Sequence, residues 1–110
     1  MVRPVEEIPV AARARFAAAE ARLYPMVLVD PAGYELVTSL VGLVADELRR
    51  TCADVSSVLD RRPELIALVP RLAGGVEPGG DLPADVVVDA ASALRCRELG
   101  AGVRAERPDA

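Results

Sequence analysis

The chain has 110 residues, of which 52% are apolar and only 3% aromatic, and its 13 basic and 17 acidic side chains leave a net charge of −4. Every basic residue is Arg, and His, Lys, Asn, Gln and Trp are absent. Without His or Lys there is no imidazole base, no Ser–His or Cys–His pair, no His-ligated metal, no histidine phosphotransfer site, no Schiff base and no P-loop, and two cysteines alone cannot close a structural zinc site.

A chain of this length makes one domain, spanning 1–110. Its core has to be Leu, Val and Ala. Apolar content above the ~45–50% usual for globular chains leaves apolar surface over, and such a surplus favours self-association or a partner. The Arg-only basic set, with abundant Ala, Gly, Pro and Val, fits the coding bias of a GC-rich bacterial genome. Charge is evenly spread, with 6 Arg against 7 acids in residues 1–50, 3 against 4 in 51–80 and 4 against 6 in 81–110. Nucleic-acid binding therefore has little electrostatic support. Charged residues punctuate the first 25 positions, so no signal peptide is visible. The longest charge-free stretch through a helix, Leu36 to Ala45, is far short of the ~20 residues a membrane span needs. The expectation is a cytoplasmic protein with reduced thiols, no membrane partner and no nucleic-acid partner.

In chain order, residues 1–7 read as a loose start. Pro9 suits the first turn of a helix running to Tyr24, with Ala12, Phe16, Ala19 and Leu23 on one face. Pro25 ends or kinks it. The apolar run Pro25–Val29 fits either a short buried extended segment or a kinked continuation of the helix; if extended, it needs a pairing partner, and the same segment of another copy is one. Asp30-Pro31 is a strong helix start. The helix from 31 to 51 presents Tyr34, Leu36, Val37, Leu40, Val41, Leu43, Val44 and Leu48 over half its circumference, which makes it the expected centre of the fold, with Glu35, Thr38, Asp46 and Arg49 on its wet side.

Asp54 caps a short helix carrying Val55, Val58 and Leu59. Pro63 starts another, with Leu65, Ile66, Leu68, Val69 and Leu72, which Pro70 interrupts or brings to the end of its regular part and Gly74-Gly75 stops. The composition of 74–80 is that of a flexible loop. A last helix runs from Pro83 to about Leu99, with Val86, Val87, Ala90, Ala91 and Leu94 on its apolar face, and residues 104–110 fray. The fold class is therefore all-α: a compact bundle of about four main helices and one short one.

Few residues stand out chemically. Glu47 falls between Leu40 and Leu43 on the wheel, inside an apolar face, where a carboxylate needs a partner such as Arg13 or Arg97, or an exposed helix end. Cys52 reads as a small buried hydrophobe and Cys96 as exposed beside Asp85, Asp89 and Ser92, with a redox pair between them disfavoured. Asp81, Asp85 and Asp89 recur every four residues but lack the alternating ligands and Gly turn of a calcium loop, so they read as a solvated acidic stripe. Arg49-Arg50 and Arg61-Arg62 lie among Glu47, Asp54, Asp60 and Glu64, which favours local ion pairs over a phosphate grip.

These observations point to no catalytic, metal or cofactor site. The first functional expectation is a helical protein–protein interaction module, a homodimer or the binder of another protein, with Met26, Val27, Leu28, Val29 and Tyr34 as its interaction surface. The second is a small-molecule or lipid binder with an apolar cavity between helices. The third and weakest is an enzyme using Glu47 or another carboxylate as acid or base.

Overall fold

A computed structural model describes residues 7–74 and 84–103, the side chains of 102 and 103 excepted. Six helical segments and one minimal ladder follow in the order β1 (Glu7–Ile8), α1 (Val10–Leu23), α2 (Met26–Val29), α3 (Pro31–Thr51), α4 (Val55–Asp60), α5 (Arg62–Leu72), α6 (Ala84–Glu98) and β2 (Gly102–Val103). The all-α class holds: four long helices carry the fold, and the only ladder among the described residues is β1 paired in parallel with β2, Glu7 to Gly102 and Ile8 to Val103. Of the expected frayed start at 1–7, Glu7 is instead paired in β1, while residues 1–6, the frayed end at 104–110, most of the 74–80 loop and the helix start at Asp81–Pro83 lie outside the described residues.

Local chemistry sets the helix limits. Asp30 folds its carboxylate over the start of α3 and accepts the Gly33 N–H at 3.0 Å, with Pro31 in the first turn. A Cβ on Gly33 would collide with that carboxylate, so the cap and the glycine are matched. Asp54 likewise accepts the Ser57 N–H at 2.7 Å to start α4. Gly100 ends α6 with a φ of 75°, and the Ala101 N–H returns to the Cys96 carbonyl at 3.0 Å, the wrap of a Schellman turn. That turn aims the chain at β1. Pro70 neither interrupts nor ends α5, which runs on to Leu72. Val69, 3% exposed, anchors the turn in the core, and only two helical residues follow.

The centre of the fold is α6, not α3. It packs against α1, α3, α4 and α5, and Val86, Val87, Val88, Asp89, Ala91, Ser92, Ala93 and Cys96 are all buried. At 100° per residue these positions cover every side of the helix. α3 behaves as a broad-faced surface helix instead. Val37, Leu40, Val44, Ala45 and Leu48 are buried, while Leu43 is 46% exposed and Glu35, Thr38, Asp46 and Arg49 face solvent. α1 buries Ala12, Phe16 and Ala19 as its wheel predicts, with Leu23 partly covered.

Two expectations for α6 are corrected by its position. Cys96 is fully buried rather than exposed, because the side of α6 that looked wet is covered by neighbouring helices. Asp89 belongs to no solvated stripe: it is 5% exposed, and Arg62 donates to both of its oxygens at 2.8 and 3.2 Å. A carboxylate held in this bidentate way can go inside, and it ties the start of α5 to the middle of α6.

Candidate interaction surface

The segment after Pro25 is a helical turn, so its extended alternative, and strand pairing with another copy, fall away. Tyr24 (φ/ψ −55/−46) and Pro25 (φ/ψ −63/−25) both stay in the right-handed helical region, and α2 continues α1 past the proline. Its ends are held by the backbone: Val29 N–H donates to the Pro25 carbonyl at 3.2 Å and Asp30 N–H to the Met26 carbonyl at 2.8 Å. Met26 faces inward and packs on the core. Its neighbours do not: Leu28 is 88% exposed, Val29 83% and Val27 46%. Tyr34, on the first turns of α3, is half-buried.

Sequence reasoning missed two parts of this surface. Tyr24 is 68% exposed and Val10 is 43% exposed. Between them Ala11, Ala14, Ala17, Ala18 and Ala21 all face solvent. The signal was present in the wheel that placed Phe16 inside, because the same 100° step gathers these residues on the opposite side. Apolar surface on both faces of one helix is unusual where the outer face is normally charged.

The charged candidates form a separate system. Glu47 is only partly buried, with 21% of its side chain accessible, and pairs with Arg50 and with Arg61 at 3.4 Å rather than with Arg13 or Arg97. Arg61 also bonds Thr51 and holds Glu64 at 2.9 Å, and the Glu64 carboxylate keeps its guanidinium more firmly protonated. Arg49 joins Asp46 to Glu98, whose carboxyl it holds below the usual range, with Arg95 adding to the effect. Both Arg pairs are thus spent on ion pairs, as expected, but two of the partners, Asp89 and Glu98, come from α6. The Asp54 carboxyl is also lowered, by the Ser57 N–H it accepts.

Two open hollows lie on the surface. One, of about 370 Å³, is lined by Glu7, Pro9, Asp54, Val55, Ser56 and Leu59. The other, of about 310 Å³, is lined by Glu47, Arg61, Glu64, Ala67, Leu68 and Arg71. Neither is an enclosed apolar cavity. Among the described residues no three His, Cys, Asp or Glu side chains are grouped to hold a metal ion, and no helix is long and apolar enough to cross a membrane. Cys52 and Cys96 are both buried and not joined in a disulfide. The chain matches no protein-family model, no curated protein and no solved structure.

Proposed function

We propose that this chain is a small, non-catalytic helical interaction module that associates with itself, and that it does so through the outward side of α1 and α2. One observation carries the proposal: Tyr24, Val27, Leu28 and Val29, four large apolar side chains, stand together in solvent at the end of α1 while the core is already complete beneath them. A turn that needed only to connect α1 to α3 would have no use for Leu and Val at those positions, and polar residues there would cost nothing in packing.

The competing readings lack such support. A binder of small molecules or lipids needs an enclosed apolar cavity, and the hollows beside Asp54 and Arg61 are both open and mix charged with apolar side chains. A carboxylate enzyme built on Glu47 would need that group available, and it is engaged by Arg50 and Arg61. Light scattering after gel filtration tests the proposal. The chain should run as a dimer at tens of micromolar, and replacing Leu28 and Val29 together by Glu should weaken association without disturbing helicity. A strict monomer at that concentration counts against self-association, and an unchanged dimer in the double variant counts against this face.

A further inference from the structure

The outward side of α1 carries a pattern of its own. Val10, Ala14, Ala17, Ala21, Tyr24 and Leu28 follow one another in steps of four and three and are all exposed. Because the backbone stays helical through Tyr24 and Pro25, the spacing passes from α1 into α2. Alternating steps of four and three are the signature of a helix that packs along another helix. Here the seam points away from the molecule's own core, opposite Phe16. Arg13 and Glu20 lie along one edge of the seam and the uncharged Ala11 and Ala18 along the other, with Arg15 and Arg22 of α1 farther round beyond those alanines.

Resting on the self-association reading above, we propose that this seam is closed by the α1 helix of a second copy, antiparallel and crossing at Ala17. A two-fold axis there sets Ala17 against its own counterpart, Ala14 against Ala21 and Val10 against Tyr24. Small residues then meet at the crossing, where backbones come closest, and the bulky end of each seam lies on the slimmer end of the other. The same operation keeps the charged edges together, so that Arg13 of each copy faces Glu20 of the other, a carboxylate that within its own chain also accepts from Arg97 at 3.3 Å. A parallel pair would instead stack Tyr24 on Tyr24 and turn both charges toward Ala18 and Pro25. Two copies that each carry a charge of −4 repel least across an uncharged strip.

The full chain should be a dimer by sedimentation equilibrium at tens to hundreds of micromolar. Ala17→Glu, which leaves an exposed position with a good helix former, should keep the circular dichroism spectrum and weaken dimerisation by roughly 100-fold or more, because two carboxylates then meet at the crossing. Orientation is read by cross-linking: under mild oxidation an equimolar mixture of Ala14→Cys and Ala21→Cys chains should give the mixed disulfide in preference to either homodimer, the native thiols being buried. Preferential homodimers would overturn the antiparallel arrangement. A dimer that survives Ala17→Glu but is lost in Val29→Glu would overturn the α1 seam and leave docking through α2 standing. A monomeric wild-type chain at hundreds of micromolar would overturn self-pairing altogether.

Discussion

α6 and α1 are both Ala-rich helices of similar length, 15 and 14 residues, with opposite fates. α6 is surrounded by four helices and buries residues on every side, including Asp89 and Ser92. α1 buries one narrow face, Ala12, Phe16 and Ala19, and turns an equally apolar face to solvent. Between them they account for the apolar surplus of this chain. Part of it allows one helix to be enclosed, which a small bundle can do only if the polar groups of that helix find partners. The rest remains outside, on a helix whose inner face has already satisfied the core.

The sharpest way to break this contrast is to place the same charge on each helix. Ala91→Glu in α6, at a position with 0% exposure, should cost ~3 kcal/mol or more, because a carboxylate without a partner enters the core; urea denaturation should find the variant largely unfolded. Ala17→Glu in α1, compared at protein concentrations low enough to keep both chains monomeric, should leave stability within about 0.5 kcal/mol. Equal losses at both positions would mean that the outer side of α1 is not free.

A second test concerns the polar group that α6 encloses. Asp89→Ala should cost ~2 kcal/mol, less than the ~3–5 kcal/mol of a fully buried pair, because 28% of the Arg62 side chain keeps access to water. Adding Arg62→Met should restore most of the loss, since the remaining surfaces are apolar. If the double variant is no more stable than Asp89→Ala, the cost lies in packing and not in the stranded guanidinium. Asp30→Ala, which removes the cap of α3, should cost about 1 kcal/mol, visible as a small drop in denaturation midpoint.

The pH dependence is a smaller effect with a definite sign. Glu98, beside Arg49, and Asp54, which accepts the Ser57 N–H, both have carboxyls held below their ordinary values. Each contributes stability that is fully present above its unfolded value of about 4 and is lost as the pH falls through the lower folded one. Denaturation midpoints should therefore decline below about pH 4, and the decline should be shallower in Glu98→Gln. At the other end of the scale, thiol reagents should not react with Cys52 or Cys96 until the chain unfolds, because both are buried. Rapid labelling of Cys96 in the folded protein would return α6 to the half-exposed helix its sequence suggests.

Several helix limits, and the chemistry the chain lacks, can be read from the residues alone. Asp30-Pro31, Asp54 and Gly100 act on their own next few residues, so their effects are legible without a fold. The inner face of α1 was legible for the same reason, since three apolar positions at helical spacing suffice to define it. Which helix is enclosed, and which pairs share charge, depends on how the helices pack. A helical wheel ranks the sides of one helix but cannot count its neighbours, so the Asp85, Asp89, Ser92, Cys96 side of α6 read as wet. Four packed helices and the guanidinium of Arg62, 27 positions away in sequence, put Asp89 and Cys96 inside. Tertiary packing likewise turned Pro25–Val29 into a helical turn: Met26 docks on the core, and the backbone bonds made within the turn leave no need for a strand partner.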